Sequence, residues 1–357
     1  MVTENKLVIS DNNQEVKILS ASEVLPEVLR SFYSSVYPVR TTFLAENWGW
    51  INRAYYNNFR IPLVLLSEEK IIGHAGLIPV TIRVGGKNYP AAWFIDLAVL
   101  PEYQRLGYGS ILVKKRMEFA EFQMTFPNNR SRGIFKNLGW QLYSNFFVHY
   151  VFIKPFNYPS IKKLLPGHLR FLLNKIFFFF RRSLYMRNSL SKDCFSLEIV
   201  SPASLEVFLS AYKNSLQTGI EEVIILRDDD YIQWRILSSP NRSHYYIYSH
   251  GDFHALIYFN DRVGDSIDVL MMSDESMAER IRTMLCSLAL HGEREGFAFV
   301  RLITTCKSLK TYVRCNVKSF VKRRTFVYHS KNQSILETMK NLSWRLGLID
   351  SDFEFTN

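Results

Sequence analysis

Gln104, Gly107 and Gly109 stand between a nearly all-apolar run, "AAWFIDLAVL" at 91–100, and a basic, helix-prone run that begins at Ser110. A glycine-rich turn from strand into helix leaves backbone N–H groups free at the helix N-terminus, where the macrodipole adds partial positive charge. Such a turn suits a phosphate or pyrophosphate, with the two glycines letting the backbone approach it, and it equally suits a plain helix cap. One acid, Asp96, interrupts the apolar run. A carboxylate there needs a partner or a raised pKa, so it reads either as a base for proton abstraction or as a structural acid bonded at the sheet. His250 and His254 are four residues apart, but the intervening "GDF" reads as a turn rather than as the helix that a two-histidine metal pair requires. No metal is expected.

Those residues need a strand, a turn and a helix to position them. The run 91–100 fits a strand buried on both faces. Beyond the turn, Tyr108, Ile111, Leu112, Phe119 and Phe122 fall in one arc of a 3.6-residue period, although Lys115 intrudes. Ahead of the strand lies a hairpin pattern at 61–86; after the helix come the strand "FQMTF", the segment "PNNRSRGIFKNLGW" and the apolar run "QLYSNFFVHYVFI". The second half repeats the order: "DDDYIQWRILSSP", a hairpin at 244–259, the strand "SIDVLMM", a helix over 276–296, the strand "FAFVRLITT", the helix "SLKTYVRCN" and the strand "RRTFVYHS". A duplicated α/β unit with mixed sheets is the economical reading.

At 357 residues and 47% hydrophobic, the chain has apolar material for two cores. Cys194, Cys286, Cys306 and Cys315 include no C-x-x-C pair, which fits a reducing cytosol. The N-terminus lacks a basic region followed by an apolar one, and no apolar run reaches the ~18 residues that span a bilayer, so neither secretion nor a membrane span is expected.

The net charge of +11 is concentrated: residues 122–192 hold twelve Lys or Arg and no acid, while the remainder has 32 basic and 33 acidic residues. The charge peaks at 161–188, where Lys162, Lys163, Arg170, Lys175, Arg181, Arg182 and Arg187 alternate with long apolar runs, including "KIFFFF". Such a stretch can hold a polyanion, lie on an anionic membrane surface, or bury its Phe side between domains with its basic side solvated. The soluble use is expected here, because an interfacial helix would leave four consecutive Phe residues uncovered.

"LAVLPEYQRLGYGSILVKK" resembles motif A of the GNAT N-acetyltransferases, with Gln104, Gly107 and Gly109 in the signature places. "NNRSRGIFKNLGW" is similar to motif B of the same family, from Asn128 to Gly139 and Trp140. The resemblance covers residues 15–155 well and the second half by topology only, and the pairing looks like tandem proteins of this type found with bacterial surface-polysaccharide genes. It implies that the motif A turn receives the pyrophosphate of acetyl-coenzyme A or another acyl-coenzyme A, with Gln104, Arg105, Gly107, Tyr108, Gly109, Ser110 and Asn128 as binding residues. It also implies that the main chain at Leu97 and Val99 pairs with the pantetheine arm, where donor amides polarise the thioester carbonyl. Asp96 is then the candidate base. The acid that the family often carries seven residues after the motif B Asn is absent, since that position is Phe135; Tyr143 or water would substitute.

Three regions follow: residues 1–155 as the coenzyme-binding domain, 156–192 as a basic connecting segment, and 193–357 as a degenerate copy. The copy has no glycine turn after "SIDVLMM", and Asp274 and Glu275 at its helix start would repel a pyrophosphate. Its Asp230, Trp234 and Arg235 would face a polar acceptor, or else belong to a capped helix with a buried Trp. The leading expectation is a cytoplasmic acyltransferase moving an acetyl or related group to an amino group of a sugar or similar small polar metabolite, nucleotide-linked sugars included. The alternatives are a Fem-type aminoacyltransferase using aminoacyl-tRNA and a non-catalytic acyl-coenzyme A sensor. Nucleic acid is not an expected partner of the leading reading, and peripheral contact with the inner face of an anionic membrane is the second use of the basic segment.

Overall fold

A computed structural model of the chain describes residues 8–11, 14–54, 62–188, 195–216, 222–261 and 265–350; Cys194 and part of the stretch before the first hairpin lie outside them. In chain order the elements are β1 (Val8–Asp11), β2 (Gln14–Ser20), α1 (Pro26–Val36), α2 (Thr41–Ile51), β3 (Leu63–Ser67), β4 (Lys70–Val84), β5 (Lys87–Val99), α3 (Tyr108–Met117), β6 (Phe122–Thr125), α4 (Arg132–Asn137), β7 (Gln141–Tyr143) and β8 (Phe147–Phe152). They continue with α5 (Pro159–Lys162), α6 (Gly167–Asn188), β9 (Ser196–Ile199), α7 (Pro202–Leu216), β10 (Glu222–Leu226), α8 (Asp229–Ile232), β11 (Tyr245–His250), β12 (Phe253–Asn260), β13 (Ser266–Met272), α9 (Ala278–Glu295), β14 (Phe299–Thr304), α10 (Lys307–Val317), β15 (Phe320–Arg323), β16 (Phe326–Ser330), α11 (Gln333–Asn341) and β17 (Ser343–Arg345).

The chain forms two compact units. The first comprises residues 1–143, 225–234 and 325–341, and the second 144–224, 235–324 and 342–357. In the first unit the strands run β1-β2-β3-β4-β5-β6-β16-β7 across a mixed sheet. Along this path neighbouring strands are antiparallel except for the parallel pair β5–β6. A core of Leu65, Ile72, Leu77, Phe94, Leu112 and Phe135 sits beneath α3 and α4.

The second unit's sheet, read from its β9 edge, runs β9-β11-β12-β13-β14-β8-β15, again antiparallel except for the parallel pair β13–β14. Strand for strand it repeats β2-β3-β4-β5-β6-β16-β7. The mixed α/β architecture expected from the element order is therefore present, in two sheets with the same order of strand directions.

The division differs from one cut at 155 in a specific way. Each unit takes its penultimate strand from the other half of the sequence: β16 lies between β6 and β7, and β8 lies between β14 and β15. The apolar run 141–153 is thus two strands in two sheets, and so is 320–330. Short apolar runs encode strand character but not which sheet they join. Helix α3 also ends earlier than its apolar arc suggests, at Met117, and Phe122 opens β6. The inward stripe of α3 is Tyr108, Leu112, Val113 and Arg116. His250 and His254 flank the turn joining β11 to β12.

Candidate active site

The register of β4 against β5 shifts between His74 and Gly76: His74 faces Ala98 and Gly76 faces Ile95, so Asp96 and Leu97 together oppose Ala75. This is a bulge, and Asp96 accommodates it with a left-handed φ of 48°. That conformation costs most residues about 1–2 kcal/mol and is best met by Asp or Asn after glycine. Three groups hold it. Arg40 Nη1 donates to Asp96 Oδ1 at 3.1 Å, supplying the partner that a buried acid needs. His74 Nδ1 donates to the Asp96 carbonyl at 2.9 Å, and Tyr33 Oη donates to His74 Nε2 at 3.0 Å. Burial pushes the His74 pKa down to about 4 and the Tyr33 pKa up, so the imidazole is neutral and the phenol protonated.

Beneath the bulge lies a residue that sequence reading missed. Arg116 is fully buried; its Nε donates to the Ala75 carbonyl at 3.1 Å and its Nη2 to the same oxygen. Among the described residues its Nη1 has no hydrogen-bond partner, and desolvation lowers its pKa. The guanidinium thereby ties α3 to the β4 residue opposite the bulge. Within "KKR" nothing distinguishes Arg116 from its solvated neighbours except its place in the Tyr108, Leu112 and Val113 stripe.

Beyond the bulge the sheet opens. Strands β5 and β6 pair only from Ala91–Phe122 to Trp93–Met124, although β5 continues to Val99. Thr125 Oγ1 donates to the Phe94 carbonyl at 2.7 Å just past the last pair. Leu100 N donates across to Ile72 O at 2.9 Å, toward β4, so strand alternation turns the amides of Val99 and Leu97 toward the open side. Gln104 Nε2 donates to the Val99 carbonyl at 2.9 Å, occupying that carbonyl beside the Val99 amide.

The turn follows directly. Arg105 and Gly107 are left-handed, with φ of 69° and 87°, and residues 104–107 are exposed. A Cβ on Gly107 would meet nothing within 4 Å, so this glycine is required by its φ and the space above it is open. Gly109 differs from expectation: a Cβ there would come within 2.9 Å of Ile134 Cδ1, so it serves the packing of α3 on α4. The first bonds of the helix come from Ser110 N and Ile111 N to Gly107 O, which leaves the Tyr108 and Gly109 amides at its open end. The Tyr108 side chain is buried in the core and contributes its amide alone.

The other predicted residues scatter. Asn128 is exposed, and its Oδ1 accepts from the amides of Arg130 and Ser131, both at 2.9 Å, capping the entry to α4. Phe135 is buried against Phe94 and Trp140. Tyr143 lies on β7 against Phe326, three strands from β5, which is about 14 Å. The structure therefore does not bring Tyr143 and Asp96 together.

Asp230 is exposed in the first turn of α8, whose cap is Asp228 Oδ1, accepting from Tyr231 N at 2.8 Å. Trp234 exchanges hydrogen bonds with Trp50: each indole Nε1 donates to the other's carbonyl, at 2.7 and 2.9 Å. Arg235 corrects its expected acceptor-facing place: it is fully buried, with Nε donating to Ile349 O at 3.2 Å. The capped helix is found, with Trp234 half-buried.

Residues 23–140 match the sequence model of the acetyltransferase (GNAT) family. No curated protein matches the chain by sequence. Among solved structures, a putative acetyltransferase from Pyrococcus horikoshii is 10% identical with a TM-score of 0.53, over 91% of this chain and 92% of that one. A GCN5-related N-acetyltransferase from Kribbella flavida is 13% identical with a TM-score of 0.52, over 90% and 72%. Saccharomyces cerevisiae N-myristoyltransferase with bound myristoyl-CoA is 11% identical with a TM-score of 0.55, over 91% and 84%. Residues 23–140 thus resemble the acetyltransferase (GNAT) family in sequence, the whole chain shares its fold with these solved structures, and the matched region contains the β5 bulge and the turn before α3.

Proposed function

We propose that the chain transfers an acetyl or related acyl group from acyl-coenzyme A to an amino group of a sugar or similar small polar metabolite. The observation that carries this reading is the opening along residues 94–99 of β5, which leads to the exposed start of α3. The residues fit the coenzyme: the space over Gly107 is what a Cβ would occupy, the Tyr108 and Gly109 amides meet a pyrophosphate, and Arg105 adds charge beside them. When bound, the thioester supplies an activated acyl carbon.

The chain does the rest. The amides of Leu97 and Val99 hold the extended arm as a further strand would, and the Leu97 amide donates to the carbonyl oxygen as negative charge develops there. Asp96, fixed by Arg40 and His74, takes the proton from the attacking amine directly or through one water. With Phe135 in the core and Tyr143 on β7, the departing sulfur takes its proton from water.

Phe135 also favours a second reading, an acyl-coenzyme A sensor without turnover. Mass spectrometry of the purified chain with acetyl-coenzyme A and a panel of free and nucleotide-linked amino sugars separates the two. Transfer is expected, and Asp96→Asn is expected to lower its rate by roughly 10²-fold with coenzyme affinity preserved. Tight coenzyme binding with no product across the panel supports the sensor; an unchanged Asp96→Asn rate at neutral pH removes Asp96 as the base.

A further inference from the structure

Helix α6 carries two apolar stripes. One faces inward: Asn174, Phe178 and Tyr185 are buried, Leu184 packs on the same core, and the helix lies against α9. Tyr185 Oη donates to Phe152 O at 3.0 Å, and Asn174 Oδ1 accepts from Phe156 N at 3.0 Å, so this face is fully engaged within the second unit. The other stripe, Leu169, Leu172, Ile176, Phe179 and Phe180, repeats at three- and four-residue steps and is exposed. Phe179 and Phe180 are each 75% exposed, so the expectation that "FFFF" would be covered holds only for Phe178 and, in part, Phe177.

The exposed stripe has a distinctive setting. Lys162 and Lys163 precede it, Lys175 and Arg182 flank it, and Arg187 closes it, all exposed, with no acid anywhere from 122 to 192. Among the described residues no helix is long and apolar enough to cross a membrane. An outward apolar stripe about 17 Å long on a helix of about 33 Å, edged by long basic side chains, has the pattern of a helix lying in the interface plane. A second copy of the chain would meet this face with the same sign of charge, which opposes an isologous contact. A nucleic acid would match the charge but not Leu169, Leu172 and Ile176.

We propose that α6 docks the protein on an anionic phospholipid bilayer. Phe179, Phe180, Ile176 and Leu172 enter the boundary between headgroups and acyl chains, and Lys163, Lys175, Arg182 and Arg187 meet the lipid phosphates. This is independent of the acyl-transfer reading.

Flotation of the full chain tests it, with vesicles of phosphatidylglycerol and phosphatidylcholine in equal parts against phosphatidylcholine alone. Wild type is expected to float with the anionic vesicles and to be released by high salt. Phe179→Ser with Phe180→Ser, and separately Lys163→Glu with Arg182→Glu and Arg187→Glu, are each expected to weaken flotation at least about tenfold. All five positions are exposed, so unfolding midpoints close to wild type are expected for both variants. No flotation of wild type, equal flotation with both vesicle types, or variants that float as well as wild type would overturn the proposal. So would light scattering that shows a dimer dissolved by the double Phe variant, without flotation.

Discussion

The two strand-turn-helix segments, β5 to α3 and β13 to α9, occupy the same place in matching sheets and differ where a ligand would sit. Both strands run parallel to the next one, and both show a register shift against the preceding strand, at His74/Gly76 and at Leu256/Ile257. The first turn is a glycine-containing, exposed loop with a left-handed Gly107. In the second turn Asp274 Oδ1 accepts from Ser276 N at 2.7 Å, and Glu275 lies 3.7 Å from Arg345. Carboxylates in the loop that leads into a helix put negative charge where a phosphate would sit, which opposes its binding. The two units thus share the strand order and the register shift, and the left-handed glycine before the helix belongs to the first.

The largest effect that could break this contrast is on coenzyme A binding. Titration calorimetry is expected to find one site per chain. Gly107→Val, which puts a β-branched residue at a φ of 87°, should weaken binding at least about 100-fold, while Asp274→Ala in the other turn leaves it unchanged. Two sites per chain, or a Gly107→Val protein that binds normally, would end the asymmetry.

Stability against acid should, by contrast, be shared. Each unit buries one neutral histidine: His74 between Tyr33 and Asp96, and His149 between Ser319 Oγ at 2.9 Å and Thr304 Oγ1 at 3.0 Å. Desolvation holds both pKa values down at about 4. Near neutral pH both folded and unfolded chains leave these rings uncharged. Below about pH 6.5 the unfolded chain gains a proton on each, and the folded chain does not until about pH 4. Stability therefore falls as pH drops through that window, by up to roughly 3 kcal/mol for each histidine. Thermal melts from pH 7 to 4.5 should show the fall, and His74→Gln or His149→Gln should each shrink it. A fall that neither variant changes would show that these rings are not its source.

The smallest expected effect separates the two glycines of the first turn. Gly109→Ala pushes a methyl toward the flexible end of Ile134, so urea unfolding should register a loss of about 1 kcal/mol, with coenzyme affinity nearly unchanged. A collapse of affinity equal to that of Gly107→Val would return Gly109 to the binding surface.

Much of the first unit's frame was legible because its signals are local. An apolar run with one acid marked β5, two glycines marked the turn, and the hairpin before them carried its own turn residues. What escaped depends on long-range placement. Arg116 reads as one more cation in "KKR" until α3 is seen to bury it beneath Ala75. Arg40 lies 56 residues before the acid it pairs with, and no spacing rule links them. The bulk of the outward Phe residues of α6 suggests burial, but they belong to a second stripe at helical spacing that the inward face of the helix does not cover. Tyr143 is the nearest substitute in sequence for the acid absent at Phe135, but β16 stands between its strand and β6.

That inserted strand also sets a schedule for synthesis. On a ribosome the residues of the glycine turn emerge early, yet β6 keeps one bare edge until Phe326–Ser330 has been made, about two hundred residues later. Pairings so distant in sequence slow folding, and an unpaired edge meanwhile is a template for the wrong partner. β8 waits in the same way for β14 and β15. A message truncated before β16 therefore leaves the first unit's sheet without the strand that joins β6 to β7, and neither half of the sequence completes a sheet alone.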